Sequence, residues 1–307
     1  MDGCELMLKI FLCIFCCAYC NMLFAKPVES SPKSVTITYP SNYQSPIYQE
    51  WERYFHDLLK LAVKKAKQPA TLKQVKIPTL PNSRSVGLIN SGHYDIDWIS
   101  TDSEREEQLR AIKIPLYKGL LGWRIFFIHQ EQQPKFSNID SIKQLQLLTG
   151  GLGIDWPDTK IMKDNGFTIY KSGHSFSLID MLDKQRIDYF SRSILEIWRE
   201  QDQLIGRPIK VESTLALQYE SAIYFFVKKD NDLAFNVVST GLNNAIEDGS
   251  FDALFCEYFA DDLQKSQLQN RRVFSVVKPA ENSAVPLKNQ ALWFDPLTNI
   301  CQKNLNK

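Results

Sequence analysis

"SEREEQLRAIKIPLYKGLLGWRIFFIH" occupies residues 103–129. An acidic segment with a lone Arg105 among Glu104, Glu106 and Glu107 runs into an apolar stretch of strand type, residues 119–129. The preceding residues say what kind of block this strand leaves. "SVTITYP" (residues 34–40) is a strand rich in β-branched residues, closed by Pro40. In "SPIYQEWERYFHDLLKLAVKKAK", Ile47, Trp51, Phe55, Leu58, Leu59, Ala62 and Val63 recur at helical spacing. Pro46 suits the first turn of that helix, and Lys60, Lys64, Lys65 and Lys67 suit its negative end. "LKQVKIPTL" reads as a second strand, "SRSVGLINSG" as a short helix stopped by Gly92, and "YDIDWIS" as a third strand. The β-α-β-α-β order predicts a parallel sheet with helices on its faces.

Beyond residue 129 the pattern starts again. "SIKQLQLL" is a helix, "TGGLGIDW" a strand and turn, "GFTIYKSG" a strand, "SFSLIDMLDKQ" a helix, "IDYFSR" a strand and "SILEIWREQ" a helix. "SAIYFFVKK" is another continuous apolar strand. Two helices follow, one with a Leu233, Val237, Leu242 and Ile246 stripe, the other with Phe251, Leu254, Phe255, Tyr258 and Phe259 and with Ser250 as its cap. Residues from Lys278 onward are rich in Pro, Asn and Lys and read as irregular. The uninterrupted apolar stretches 120–128 and 222–227 each precede a change of block, and are expected to pair as a hinge.

The first 25 residues, "MDGCELMLKIFLCIFCCAYCNMLFA", run from a charged start through a short apolar core to a small residue, the order of a cleaved secretory signal. The apolar core is short for a membrane span; retention as an anchor is the competing reading. Removing Asp2, Glu5 and Lys9 with it leaves 35 basic and 33 acidic side chains, a net charge of +2. That balance gives no electrostatic reason to bind nucleic acid or an anionic membrane. Cys256 and Cys301 are the cysteines left in the exported part. Export favours a disulfide between them, against two separate thiols.

The block order and residues together resemble the type II periplasmic binding proteins, and within them the family 3 extracellular solute-binding proteins of a proteobacterial branch. The pattern is Trp98, Thr101, Glu104-Arg105-Glu106, then Ile114-Pro115-Leu116-Tyr117-Lys118-Gly119-Leu120-Leu121-Gly122-Trp123-Arg124, with "RIDYFSRSILEI" (residues 186–197) further on. The resemblance covers about residues 33–262. It implies an α/β fold of two lobes joined by two crossover strands, with a ligand in the cleft between them. The expected organisation is a signal at 1–25, lobe one at 26–124, lobe two at 125–221, a return to lobe one at 222–277, and an irregular tail at 278–307.

In amino-acid-binding members an Arg in the loop after the third strand grips the ligand carboxylate. Arg105 stands at that place. A guanidinium offers a planar fork matching a carboxylate, and a helix start adds free N–H groups. The competing reading pairs Arg105 with Asp102, Glu104, Glu106 or Glu107 on a solvated helix. Ser100 and Thr101 flank it, and Tyr39 and Trp98, at strand ends, are candidate aromatic walls whose alternative is packing. In the second lobe the resemblance places a small-residue ligand turn at Thr149, Gly150 and Gly151, with Gly153 close by; an ordinary strand turn is the alternative. Where amino-acid binders carry an Asp for the α-ammonium, this chain has Ser193 beside Arg192. Arg105 and Arg192 facing one cleft favour an anionic solute, unless Glu196 offsets Arg192 or Arg192 points outward. Arg124 reads as a structural hinge residue, and His174 as a cap or surface residue.

No Ser/His/Asp order, Cys/His pair or metal-ligand spacing appears, so no enzyme and no cofactor or metal is expected. The expected role is a periplasmic, monomeric binder that closes on a small anionic or amino-acid-like solute and presents it to a membrane permease. The alternative partner is a membrane sensor receptor.

Overall fold

The computed structural model describes residues 35–42, 46–78, 83–276, 292–293, 295 and 301. The expected signal, the Ile47 and Trp51 side chains and most of the tail lie outside them.

Strand β1 (Val35–Asn42) and strand β2 (Ala70–Ile77) pair in parallel, Val35 opposite Ala70 and Asn42 opposite Ile77. Helix α1 (Pro46–Lys65) connects them. Its Phe55, Leu58, Leu59 and Ala62 are buried at the expected spacing. So is Tyr54, whose hydroxyl donates to Leu116 O at 2.6 Å. Helix α2 (Ser83–Asn90) ends before Gly92, whose φ is +73°. Strand β3 (Ile96–Ser100) does not extend the parallel ladder. Asp95 explains the break: its carboxylate takes the Thr38 N–H at 2.7 Å and hydroxyl at 2.5 Å, a backbone donor that a neighbouring strand would otherwise use. Strand β3 instead pairs antiparallel with β11 (Ile223–Val227), which also pairs with β4 (Arg110–Ile112), beyond helix α3 (Ser103–Gln108).

The second sheet has seven strands. They are β5 (Trp123–His129), β6 (Thr149–Gly153), β7 (Thr168–Ser172), β8 (Tyr189–Ser193), β9 (Ile209–Val211), β10 (Leu215–Gln218) and β12 (Arg272–Ser275). The order is β12-β10-β5-β8-β6-β7, with β9 also on β5. Helices α4 (Gln133–Ser137), α5 (Ile142–Gln146), α6 (Pro157–Asp164), α7 (Ser175–Asp183) and α8 (Ile197–Gln201) connect them. Helices α9 (Asp232–Glu247) and α10 (Ser250–Ser266) follow β11. Helix α9 presses backbone to backbone on α1: a Cβ added at Gly241 lies 1.7 Å from Ala62 O. Its buried face is Ala234, Val237, Val238, Gly241, Leu242 and Ala245, whereas Leu233 is exposed. The expected stripe is therefore rotated by a fraction of a turn, because the closest approach is set by the smallest residues. Gly249, with φ +79°, caps α10, and the Ser250 hydroxyl bonds Asp248 instead of the helix start.

The expected hinge needs a correction. The strands at 120–128 and 222–227 do not pair with one another; β5 lies in the seven-stranded sheet and β11 in the three-stranded one. The apolar stretch from 119 is also not all strand. Lys118 and Gly119 have φ of +49° and +81°, and Leu120–Gly122 is a turn of 3-10 helix. The passages between sheets are residues 113–122 and 219–222. They touch where Tyr219 N–H donates to Gly122 O at 3.1 Å. A disulfide joins Cys256 on α10 to Cys301, 45 residues apart. In the chain-entropy account a loop of that length contributes roughly 4 kcal/mol.

Candidate functional site

Tyr39 lies within β1 and Trp98 at the centre of β3 rather than at the strand ends expected from sequence; Ser100 ends β3. Trp98 stacks on Phe55 of α1, ring centroids 5.4 Å apart and planes 13° apart. His56 meets the edges of both Tyr39 and Trp98, at 5.1 Å each. His56 eluded sequence reading because it lies one residue outside the helix stripe; its i+4 relation to Glu52 was the available signal. Asp97 lies buried beneath Trp98, accepting from Tyr94 Oη at 2.8 Å and Trp98 N at 2.7 Å. Burial pushes its carboxyl up to about 6, against the pull of those hydrogen bonds.

A raised carboxyl stabilises the fold most below its unfolded value, near 4, and that contribution is lost as pH rises through about 6. Asp97→Asn is expected to remove this part of the pH dependence. Urea unfolding at pH 4.5 and 7.5 should show a wild-type decrease larger than the variant's by about 1–2 kcal/mol. Parallel curves for the two proteins exclude Asp97 as the source.

Asp102 caps helix α3, its Oδ1 accepting Arg105 N–H at 2.8 Å. The Arg105 side chain turns back into the strand end. Its Nη1 donates to Ser100 O at 2.7 Å and pairs with Asp102 Oδ2 at 3.0 Å. Arg105 is thus buried, at 8% exposure, rather than solvated on the helix face. Both contacts run through Nη1, and neither Nε nor Nη2 is among the sealed, unsatisfied atoms. Thr101 is engaged inside the chain, donating to Glu106 at 2.6 Å, and Glu106 pairs with Lys113 at 2.8 Å.

The second sheet places the other candidates differently. Thr149–Gly153 is strand β6, not a turn. Gly150 and Gly151 lie opposite Tyr189 and Phe190 of β8. A Cβ at Gly150 lies 2.5 Å from the Tyr189 ring, and one at Gly151 lies 2.8 Å from Ile187. Their lack of a side chain serves packing. The Thr149 N–H donates to Asp188 at 2.8 Å, at the amino end of β8. Arg192 lies near the carboxyl end of β8, about 13 Å along the sheet at 3.3 Å per residue. Thr149 and Gly150 are therefore not brought together with Arg192. The segment beside Arg192 is Trp156, over whose ring the guanidinium sits at 4.6 Å.

Arg192 donates Nε to Glu200 Oε2 at 2.7 Å and Nη2 to Glu200 Oε1 at 2.5 Å, with Glu196 3.3 Å from Nη2. Burial works against its charge, but Glu196 and Glu200 hold its pKa above the ordinary value. Arg124 lies deeper, 3.6 Å from Asp158 and 3.9 Å from Glu196, donating to Ser191 O at 3.1 Å. Asp158 also accepts from the Tyr219 hydroxyl. The cluster holds two cations and three carboxylates, so the second-sheet arginines are neutralised internally. Two surface cavities, about 510 Å³ beside Ile205 and 340 Å³ beside Lys229, are not lined by Tyr39, Trp98, Arg105 or Arg192, although Glu106 and Lys113 line the second. Among the described residues no group of three or more His, Cys, Asp or Glu could hold a metal, and no helix is long and apolar enough to cross a membrane.

No family model matches the chain. No curated protein matches it either. Solved structures do. The probable amino-acid ABC transporter extracellular-binding protein ytmK from Bacillus subtilis superposes with a TM-score of 0.57 at 18% identity, over 75% of this chain and 100% of that one. An ancestral arginine-binding protein bound to arginine gives 0.53 at 16%, over 73% and 98%. A histidine kinase sensor domain with similarity to periplasmic binding proteins gives 0.54 at 13%, over 74% and 96%. The fold is that of the type II periplasmic binding proteins. The passages at 113–122 and 219–222 run between the three-stranded and seven-stranded sheets, and residues 267–271 lead from α10 to β12 of the seven-stranded sheet. Arg105 lies in helix α3, just beyond the carboxyl end of β3, and Arg192 lies near the carboxyl end of β8 in the seven-stranded sheet.

Proposed function

We propose that this chain is an exported solute-binding protein that closes on a small acid or amino-acid-like solute. The observation that carries this reading is the half-committed guanidinium of Arg105. Nη1 is anchored to Ser100 and Asp102, while the Nε/Nη2 edge makes no hydrogen bond or ion pair among the described residues. That edge is the planar fork a carboxylate fits. Trp98, two residues before Ser100 on β3, is the candidate aromatic wall; it stacks on Phe55, and Tyr39 is buried against His56. Arg192 has no such edge free, which argues for one acid group on the ligand rather than two. Ligand holding both lobes favours the closed form, and closure is what a membrane partner reads. The chain is read as periplasmic and non-enzymatic, with lobes at 26–124 plus 222–271 and at 125–221; the expected bound at 277 is too long, because β12 (Arg272–Ser275) pairs with β10 in the second-lobe sheet.

A second reading, a ligand-sensing module for a membrane receptor, is supported by the likeness to a histidine kinase sensor domain. Both readings share the site and differ in the partner.

Native mass spectrometry of gently purified protein identifies the solute, and calorimetry then measures it. Arg105→Ala is expected to weaken binding at least thirtyfold, about 2 kcal/mol, and Arg105→Lys to recover part of it. Melting curves separate this from unfolding, since Arg105 also anchors the end of β3. Unchanged affinity in a folded Arg105→Ala protein would falsify the assignment.

A further inference from the structure

The passage at residues 113–122 is gripped by two sets of contacts. Lys118 and Gly119 hold the left-handed backbone that turns the chain between sheets. The Lys118 side chain, 3% exposed, reaches Asp252 at 2.7 Å and lies 5.1 Å over the Phe251 ring, both in the first turn of α10. Trp293 also packs closely against Gly119: a Cβ built there lies 2.1 Å from Trp293 Cε3 and 2.3 Å from Cζ3. Leu292 beside it and Cys301 beyond it are buried. Cys301 is bonded to Cys256, one turn along α10 from Asp252. The helix and the C-terminal residues thus hold Lys118 and Gly119 together, and the disulfide ties the two holds to each other.

We propose that Leu292, Trp293 and Cys301 form a brace on this passage that restrains how far the lobes open and close. The proposal rests on the binding reading only in supposing that lobe motion matters; the brace is a property of the unliganded chain. A change of lobe angle needs torsional change at Lys118–Gly122, because the second passage is fixed to Gly122 by backbone contact. A ring lying on Gly119 opposes that change. The αL conformation leaves glycine as the favoured residue there, and its bare Cα is what the ring covers.

The test uses the unliganded, otherwise intact chain. Trp293→Ala removes the ring, and Cys301→Ser cuts the tie while keeping the ring. Amide exchange is read at Leu120 and Gly122, whose N–H groups donate to Tyr117 O and Gly119 O. Exchange at Phe190 and Ser191 in β8 reports global opening. Solution X-ray scattering reports lobe opening. The expected result is at least tenfold faster exchange at Leu120 and Gly122 in both variants, unchanged exchange in β8, and a broader distribution of interatomic distances. Unchanged exchange at the passage, an equal rise in β8, or unchanged scattering each overturns the brace. Should Trp293→Ala not fold, Trp293→Leu with Cys301→Ser gives the same reading. Failure to find a ligand leaves these outcomes untouched, so the brace and the binding function fail separately.

Discussion

Gly122→Ala is expected to destabilise the protein by about 3 kcal/mol or more, since overpacking that backbone cannot relieve sits at the costly end of single substitutions. The added Cβ lies 1.8 Å from Tyr219 O and 3.3 Å from Ser221 N. Both neighbours are main-chain atoms of the second passage between lobes, so no side chain can turn away. The two passages must separate, breaking the Tyr219 N–H···O Gly122 bond and disturbing β10 against β5. For a chain of this size that cost lowers the melting temperature by about 6–12 °C. Gly87→Ala is the control. It sits in α2 with nothing within 4 Å of an added Cβ, and is expected to be neutral or stabilising by up to about 1 kcal/mol. Equal melting temperatures for Gly122→Ala and wild type contradict the close crossing of the passages.

The second large effect concerns the ion cluster at the end of β8. Arg192→Ala leaves Glu200 buried without the fork that neutralises it, and leaves Glu196 facing Asp158 with only Arg124 between them. Removing one partner of a buried pair costs about 3–5 kcal/mol, more than the pair itself contributes. Replacing both partners, as Arg192→Met with Glu200→Met, is expected to recover most of that loss. Arg192→Lys is expected to fall between, because an ammonium cannot serve two carboxylate oxygens in one plane. Urea unfolding of the four proteins decides the matter. If Arg192→Ala costs under about 1 kcal/mol, water reaches the cluster and Arg192 is available to a ligand after all.

Periodicity revealed α1, α9 and α10, because each covers a core and must repeat its apolar residues about every 3.6 residues, whereas an uninterrupted apolar run revealed β5, which is buried on both faces. The order of blocks pointed to two lobes and two links. The clamp proposed at Arg105 came from the resemblance to amino-acid-binding members, joined to the planar fork of a guanidinium. A cap, a stripe and a strand are local properties and can be read within a dozen residues.

Pairing could not be read that way. Whether β3 continues the β1–β2 ladder depends on Asp95 meeting Thr38 from 57 residues away. Whether Arg192 is a ligand contact depends on Glu200 closing its fork, although Glu200 lies only eight residues on and was equally visible as a surface helix residue. Gly150 and Gly151 read as ligand-approach glycines until Tyr189, Leu178 and Ile187 are placed against them. Trp293 on Gly119 joins residues 174 apart, with no periodic signal to announce it. What the sequence by itself determined was which segments are strands, helices and links, since those follow from local torsion preference and the spacing of apolar side chains. Which polar groups are already satisfied, and which are left to meet a ligand, was decided only by tertiary structure, because a charge is spent or free according to what the fold brings within 3 Å of it.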